Sequence, residues 1–268
     1  MSDFEAIKER QRTVWGLGDY SVLARTFDPA AVALCDGCAV SAGQEVLDVG
    51  AGTGNFAIAC AREGASVVAS DISPAMVQSG RARTEAEGFD VEWVEADVEA
   101  LPFEDARFDC AGSAFGAFLA PRPELAAAEM FRVVRPGGAV GLTAWLPEGF
   151  FGLIQGLGQR YLPMPDGLPL PQEWGDEDTA RARLEGLAGH VSCERGAVPL
   201  AAASPEAFAD EFLASAPTCV AARGRVSDEE FAQLRREMVE LAREWSPAGD
   251  GPVSIDAEYL VIVARKRG

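Results

Sequence analysis

The sequence predicts an α/β fold built on a mainly parallel β-sheet. From residue 45 onward, short apolar runs alternate with segments of helical length, and glycine or proline residues separate them. The first run leads into a glycine-rich turn, and an aspartate stands at or just after the end of each of the first three runs. Strands that alternate with helices in this way form βαβ units, in which buried strands lie parallel to one another.

Each element is predicted from the spacing of its apolar residues and from the residues that bound it. Residues 1–42 have helical spacing throughout. Ser73 followed by Pro74 is a favoured helix start, because a hydroxyl can cap the helix and proline suits its first position. Residues 147–175 break the alternation with many prolines and glycines. The predicted strands are 45–49, 66–70, 91–94, 108–113, 139–145, 191–200 and 258–264. The predicted helices after residue 42 are 55–63, 73–87, 124–134, 177–187, 205–214 and 227–245.

The composition is that of a globular protein with a strongly acidic surface. Of 268 residues, 48% are hydrophobic and 24% are charged, and the net charge of −19 is relieved by no run of Lys or Arg. Such a surface repels phosphate backbones and anionic headgroups, so we expect neither nucleic acid nor a membrane as partner. No apolar stretch is long enough to span a bilayer, and the N-terminus lacks the apolar core of a signal peptide. A cytoplasmic location is therefore expected.

Two features that often carry chemistry are interpreted as structural. Cys35 and Cys38 form a C-x-x-C pair, but no second ligand pair follows at the spacing of a zinc site, and no strand precedes the pair as in redox proteins. We therefore expect buried thiols and no bound metal. The only histidine, His190, lies in a predicted helix-to-strand turn and is also expected to be structural.

The sharpest signal is the turn from Asp48 to Asn55, which reads DVGAGTGN between a buried strand and a helix. Its glycines allow a tight turn and a close approach to a ligand at a helix N-terminus. A nicotinamide dinucleotide is one candidate ligand. However, that pattern needs glycine at position 55, and the Asp48 carboxylate would face a pyrophosphate. The carboxylate better suits a ligand with a cationic amino group.

Two further aspartates follow the second and third predicted strands. Asp71 stands 19 positions after Gly52, the spacing at which a carboxylate reaches the hydroxyls of a ribose. Ile72 is next to it and could lie against an adenine face. Asp97 follows the third strand, where a carboxylate could accept a hydrogen bond from an exocyclic adenine amine.

Together these motifs resemble those of the class I S-adenosylmethionine-dependent methyltransferases. VLDVGAGTGNFAI is similar to the first family motif, and SDISPAMV, EADVEALPF, DARFDC and FRVVRPGG resemble the later motifs in the same order. The match covers about residues 43–145 and is nearest to the small-molecule branch that includes ubiquinone and menaquinone methyltransferases. It implies a Rossmann-like seven-stranded sheet of order 3-2-1-4-5-7-6, with the last strand antiparallel and helical cap insertions.

The resemblance also implies an organisation of the chain as a single domain, residues 1–268. An N-terminal helical lid would occupy 1–42 and the cofactor-binding core 43–146. Cap insertions would occupy 147–175 and 202–250. The remainder of the core would lie in 176–201 and 251–268.

The family's cofactor is S-adenosylmethionine, and the resemblance implies which residues would bind it. Asp48 and the glycine loop would flank the methionine part, Asp71 would bind the ribose, and Asp97 with Val98 would hold the adenine. Ser113 would lie under the cofactor near its methyl group. The full expected set is Tyr20, Asp48, Gly50, Ala51, Gly52, Asn55, Asp71, Ile72, Asp97, Val98, Ser113 and Ala114.

The predicted function is methyl transfer to a small-molecule acceptor by in-line displacement, with catalysis mainly by positioning. The sequence names no catalytic base. An apolar acceptor pocket could be lined by Phe115, Phe118, Phe150, Phe151 and Trp174. A non-catalytic S-adenosylmethionine-binding module is the alternative, and a nicotinamide-dependent oxidoreductase is a third reading. The acceptor, the atom methylated and the oligomeric state, monomer or homodimer, stay open.

Overall fold

A computed structural model describes residues 3–165 and 167–268 and has at its centre a seven-stranded sheet. The strand order is β3-β2-β1-β4-β5-β7-β6, which confirms the expected order. β7 runs antiparallel to both of its neighbours, and the other pairs are parallel. The strands are β1 (Glu45–Val49), β2 (Ser66–Asp71), β3 (Val91–Glu95), β4 (Phe108–Ala114), β5 (Val134–Trp145), β6 (Ala188–Ala202) and β7 (Val253–Lys266).

Helices cover both faces of the sheet and its carboxyl edge. The α-helices in the described residues are α1 (Asp3–Val14), α2 (Tyr20–Thr26), α3 (Asp28–Cys38), α4 (Asn55–Arg62), α5 (Pro74–Ala86), α6 (Pro123–Val133), α7 (Phe150–Tyr161), α8 (Glu177–Leu184), α9 (Pro205–Ser215), α10 (Pro217–Arg223) and α11 (Asp228–Trp245). Short 3₁₀ helices lie at Ala117–Leu119 and Pro171–Gly175. None of these helices has the length and hydropathy that crossing a bilayer requires.

The segment 1–42, expected as a lid, is three helices with different positions. α1 and α2 lie near the carboxyl edge of the sheet, but α3 packs against α4, β5 and β7. It buries Leu34, Cys35 and Cys38 in the main core, and the assignment of the whole segment as a lid stays a prediction. The physical reason for this burial is that the apolar residues of α3 face the sheet, where their burial is favourable.

Other elements differ from the prediction in extent. Residues 150–161 form α7 despite three glycines, because Phe150, Phe151 and Ile154 share one buried face. The antiparallel strands β6 and β7 are longer than predicted. The Ser73 hydroxyl does not cap α5; it donates to the carbonyl of Arg12 at 3.0 Å and thereby ties α1 to α5. His190 lies within β6 and is exposed.

Candidate functional site

Two loops meet at the carboxyl edge of the sheet, one after β1 and one after β4. Gly50, Gly52 and Gly54 have φ of 60°, 55° and 87°, a region that residues with a Cβ atom rarely adopt. A Cβ atom on Gly116 would lie 2.1 Å from the Gly50 carbonyl oxygen, so the loops touch backbone to backbone. A Cβ atom on Gly52 would meet nothing within 4 Å, because this glycine faces a cavity.

We call this space the carboxylate cavity, since the carboxylates of Asp71 and Asp97 both line it. It collects most of the residues expected to bind a cofactor, although they come from five separate parts of the chain. Those that line it are Tyr20, Gly50, Ala51, Gly52, Asn55, Asp71, Ile72, Asp97, Val98 and Ala114.

Asp71, at the end of β2, is held rigidly by backbone donors. Its Oδ2 accepts the Gly52 N–H at 2.9 Å and its Oδ1 accepts the Ser73 N–H at 2.8 Å. Burial raises the pKa of this carboxyl to about 6, although these hydrogen bonds act to lower it. The aspartate therefore shapes the glycine loop and presents a carboxylate to the cavity near neutral pH.

Asp97 belongs to an ion-pair network that the sequence analysis missed. Lys8 Nζ from α1 lies 2.7 Å from Asp97 Oδ2 and 2.5 Å from Glu99 Oε2, and Arg122 also pairs with Glu99. Burial lowers the pKa of Lys8, but the two carboxylates outweigh burial and raise it overall. α1 is thus anchored over the cavity by a buried cation. Nothing in the local sequence pairs residue 8 with residues 97 and 99.

Two expected residues do not line the cavity. Asp48 is buried beneath the glycine loop, where its Oδ2 accepts the Ala57 N–H of α4 at 2.8 Å. Ser113 is fully buried; its hydroxyl donates to the Val49 carbonyl and accepts the Ala117 N–H at 2.7 Å. Both polar groups satisfy backbone atoms that the loops would otherwise leave unpaired, so their role is to hold the loops that form the cavity.

The buried Asp48 makes stability depend on pH. Burial and the nearby Asp71 raise its pKa to about 8, against the Ala57 hydrogen bond. The folded state then binds a proton that the unfolded state releases at a pKa of about 3.9. The free energy of unfolding should therefore fall as the pH rises from about 5 to 8, at no more than about 1.4 kcal/mol per pH unit for this proton.

Urea unfolding of the wild type and of Asp48→Asn across this pH range measures the effect. Asparagine keeps an oxygen for the Ala57 N–H and cannot ionise, so we expect a shallower decline of stability in the variant. Identical slopes in the two proteins would contradict a protonated Asp48.

Two residues of the carboxylate cavity connect it to its surroundings. Asn55 Nδ2 donates to the Ala24 carbonyl at 2.7 Å, and its Oδ1 accepts from Arg83 at 2.6 Å. Tyr20 packs edge-on against Trp15, with ring centroids 5.5 Å apart. Burial, and to a lesser degree Asp71, raises the pKa of Tyr20, so it stays a neutral hydroxyl. Tyr20 also borders a second cavity.

The second space, here the aromatic cavity, has a volume of about 280 Å³ and a mainly apolar wall. Small-molecule sites commonly occupy roughly 300–1,000 Å³. Its aromatic lining residues are Trp15, Tyr20, Phe27, Phe115, Phe118, Trp145, Phe151, Tyr161 and Phe212. Phe115 stacks on Trp145 with centroids 3.9 Å apart, and its φ of 56° is a strained value for an aromatic residue. This residue lines both cavities, so its ring forms part of the wall between them.

Of the aromatic residues expected in an acceptor pocket, Phe115, Phe118 and Phe151 line the aromatic cavity, but Phe150 and Trp174 do not. Phe150 is fully buried and packs on Phe208 and Trp245. Trp174 is buried under the Arg183 guanidinium, 4.9 Å from its ring centroid. These two side chains pack the cap. The helix α7 sends adjacent side chains in different directions, and this decides which of them reaches the cavity.

The aromatic cavity offers few groups that could move a proton. Among its described lining residues there is no carboxylate and no histidine. Burial raises the pKa of Cys219 to about 11 and also that of Tyr20. Gln155 Oε1 is buried without a hydrogen-bond partner, so it is available to accept a hydrogen bond from a donor group of a bound molecule.

The six cysteines are candidate metal ligands. Cys35, Cys38, Cys60 and Cys110 are buried free thiols in the core, and Cys193 and Cys219 are partly buried. Among residues 3–165 and 167–268, no group of three or more histidine, cysteine or acidic side chains is arranged to hold a metal.

Comparisons with known sequences agree with this geometry. Residues 46–138 match a family model described as a methyltransferase domain. The uncharacterized protein Rv1405c of Mycobacterium tuberculosis is 33% identical over 98% of this chain and 96% of its own length. A demethylmenaquinone methyltransferase of Thermus thermophilus is 39% identical over 130 residues, which are 47% of this chain and 59% of that enzyme.

Solved structures share the fold at low sequence identity. The YcgJ protein of Bacillus subtilis has a TM-score of 0.61 and 20% identity, over 90% of this chain and 99% of that one. A phosphoethanolamine N-methyltransferase of Haemonchus contortus, in complex with S-adenosylhomocysteine, has a TM-score of 0.55 and 19% identity. That likeness covers 90% of this chain and 53% of the other.

Proposed function

Because the chain belongs to the class I S-adenosylmethionine-dependent methyltransferases, we propose that it binds S-adenosylmethionine in the carboxylate cavity and methylates a small molecule in the aromatic cavity. The observation that carries the proposal is the shared wall: Tyr20, Phe27 and Phe115 line both cavities. Two ligands in these spaces would meet at that wall, as a direct transfer between them requires.

The residues of the carboxylate cavity fit the cofactor better than a nicotinamide dinucleotide. Gly52 leaves open space where a Cβ atom would intrude, so a ligand can approach its backbone. The one cation among the described lining residues is Lys8, and two carboxylates already engage it. A pyrophosphate would therefore face carboxylates without a free positive charge, whereas a ligand with ribose hydroxyls and an ammonium group suits them.

Roles follow from these positions. Asp71 would accept hydrogen bonds from the ribose hydroxyls, and Ile72 would pack on the adenine. Asp97 and the Val98 backbone would bind the adenine edge. Gly50 and Gly52 would border the methionine part, while Asp48 acts from below by holding the loop at Ala57.

The chain's own contribution to catalysis would be positioning and exclusion of water. When bound, the cofactor supplies an electrophilic methyl group on a sulfonium, whose leaving thioether needs no proton. The aromatic wall around Phe115 and Trp145 keeps water away from the point where the cavities meet. Gln155 Oε1 would orient an acceptor N–H or O–H. Among the described residues that line the aromatic cavity, none is suited to act as a general base at neutral pH. This favours an acceptor that is already nucleophilic.

Calorimetric titration of the purified protein with S-adenosylhomocysteine, and separately with a nicotinamide dinucleotide, tests the proposal. We expect a Kd of the order of micromolar for the first ligand, equivalent to about −8 kcal/mol, and no measurable heat for the second. Binding of the dinucleotide alone would contradict the assignment of the carboxylate cavity.

A further inference from the structure

Two arginines line the aromatic cavity without any role in the proposed transfer. Arg10 lies on α1, and Arg225 follows α10 in the turn that leads to α11. They are the only charged residues among the described lining residues of this cavity. Neither lines the carboxylate cavity.

Both guanidinium groups lack a partner within the part of the chain that the structure describes. No ion pair or hydrogen bond joins either of them to another residue there, whereas most arginines of this acidic chain contact a carboxylate. Arg223, two positions before Arg225, pairs with Asp228 Oδ1 at 2.6 Å, and Arg12, two positions after Arg10, contacts Glu95 Oε1 at 2.9 Å. Carboxylates are thus abundant, yet none is directed at this pair.

The two charges also act on each other. Burial lowers the pKa of Arg10, and the positive charge of Arg225 lowers it further. Two like charges held at one cavity without an acid between them raise the energy of the empty protein. An anion bound between them would remove this repulsion, and guanidinium groups bind carboxylate, sulfonate and phosphate oxygens through paired hydrogen bonds.

We propose that the methyl acceptor carries an anionic group, which Arg10 and Arg225 bind in the aromatic cavity. The proposal rests on the proposed function and narrows its substrate class. The acceptor then has three parts: an aromatic or alicyclic body between the rings, a hydrogen-bond donor at Gln155 Oε1, and the anion. The anionic group orients the acceptor and takes no part in the reaction.

This arrangement makes α1 a part of both binding sites. Lys8 and Gln11 of α1 line the carboxylate cavity, while Arg10 lines the aromatic one. One helix would therefore contact both ligands. Binding of the anion would orient the acceptor relative to the cofactor.

The test uses two fluorescent probes that differ in charge, anilinonaphthalene sulfonate and its uncharged relative N-phenylnaphthylamine. Both are titrated into the purified protein of residues 1–268, with and without saturating S-adenosylhomocysteine. We expect the double variant Arg10→Gln/Arg225→Gln to raise the Kd of the sulfonate at least about tenfold, because charge-assisted hydrogen bonds are lost. The Kd of the neutral probe should change less than about twofold, since the apolar wall is intact.

Three controls make the result specific. Arg195→Gln removes the same charge from an exposed arginine of β6 that pairs with Glu148 and lines neither cavity, and should bind both probes as the wild type does. Arg10→Lys/Arg225→Lys keeps the charge but not the paired hydrogen bonds, so its sulfonate affinity should lie between those of the wild type and the double glutamine variant. Arg225→Gln alone changes an exposed residue, so it reports on the pair even where replacement of the half-buried Arg10 affects folding.

The outcomes separate this inference from the proposed function. Unchanged sulfonate affinity in the double variant, an equal loss in Arg195→Gln, or an equal loss of affinity for the neutral probe would overturn the anion site. Failure of S-adenosylhomocysteine to bind the wild type would instead overturn the proposed function. A selective loss of sulfonate affinity in the Arg10 and Arg225 variants would support the anion site.

Discussion

Replacement of Asp71 by asparagine is expected to weaken S-adenosylhomocysteine binding about 100-fold. The aspartate would accept two hydrogen bonds from the ribose, and each bond to a charged group contributes about 1.5–3 kcal/mol. It also accepts the Gly52 and Ser73 N–H groups through its two oxygens. Asparagine offers one oxygen in place of two, so one of these backbone donors would lose its partner.

Calorimetry of this variant needs a control and a pH series. Asp90→Asn removes a carboxyl from an exposed position before β3 and should bind like the wild type. In the wild type, affinity should rise as the pH increases from about 5 to 7, because the Asp71 pKa of about 6 lies in this window and the ionised form is the better acceptor. The variant should lack this rise. Equal affinities of Asp71→Asn and wild type would remove Asp71 from the binding site.

Gly116→Ala is expected to lower both stability and cofactor affinity. The added Cβ atom would lie 2.1 Å from the Gly50 carbonyl oxygen, a backbone atom that cannot swing aside as a side chain can. Overpacking of this kind costs about 1–3 kcal/mol. The two loops would have to separate, which moves Gly50 and Gly52 from their positions around the carboxylate cavity. We therefore expect a loss of about 2–3 kcal/mol in the free energy of unfolding and about tenfold weaker S-adenosylhomocysteine binding.

Gly156→Ala on α7 is the matched control for this substitution. Its Cβ atom would meet nothing within 4 Å, and alanine favours a helix interior over glycine by about 1 kcal/mol. The control should keep the affinity of the wild type and equal or exceed its stability. If Gly116→Ala unfolded at the same urea concentration as the wild type and bound equally well, the backbone contact between the loops would have no importance for the site.

The local part of the site was predictable because short-range constraints determine it. A glycine-rich turn needs φ values that only glycine adopts easily, so its position after β1 follows from the chain alone. The aspartate at residue 71 stands at the end of the next strand, and parallel strands bring their carboxyl ends to one edge. The sheet order and the family followed from the same motifs. Cytoplasmic location, oligomeric state and the domain boundaries remain predictions.

Side-chain direction was the first thing that the motifs left open. Asp48 and Ser113 occupy family motif positions, yet their polar atoms turn inward to backbone groups of the loops. Phe150 and Phe151 are neighbours in sequence, but only Phe151 reaches the aromatic cavity. The difference depends on how the helix rotates against the core, which the packing of distant elements decides.

By itself, therefore, the sequence determined the fold, the glycine loop and the carboxylates that follow the strands. Only the tertiary structure decided that Lys8 reaches Asp97, and that Arg10 and Arg225 share one cavity without an acid between them. These partners are about 90 to 215 positions apart in the chain. Their meeting is set by the burial of apolar faces of whole helices, an energy summed over many residues that leaves no mark in the pattern around any one of them.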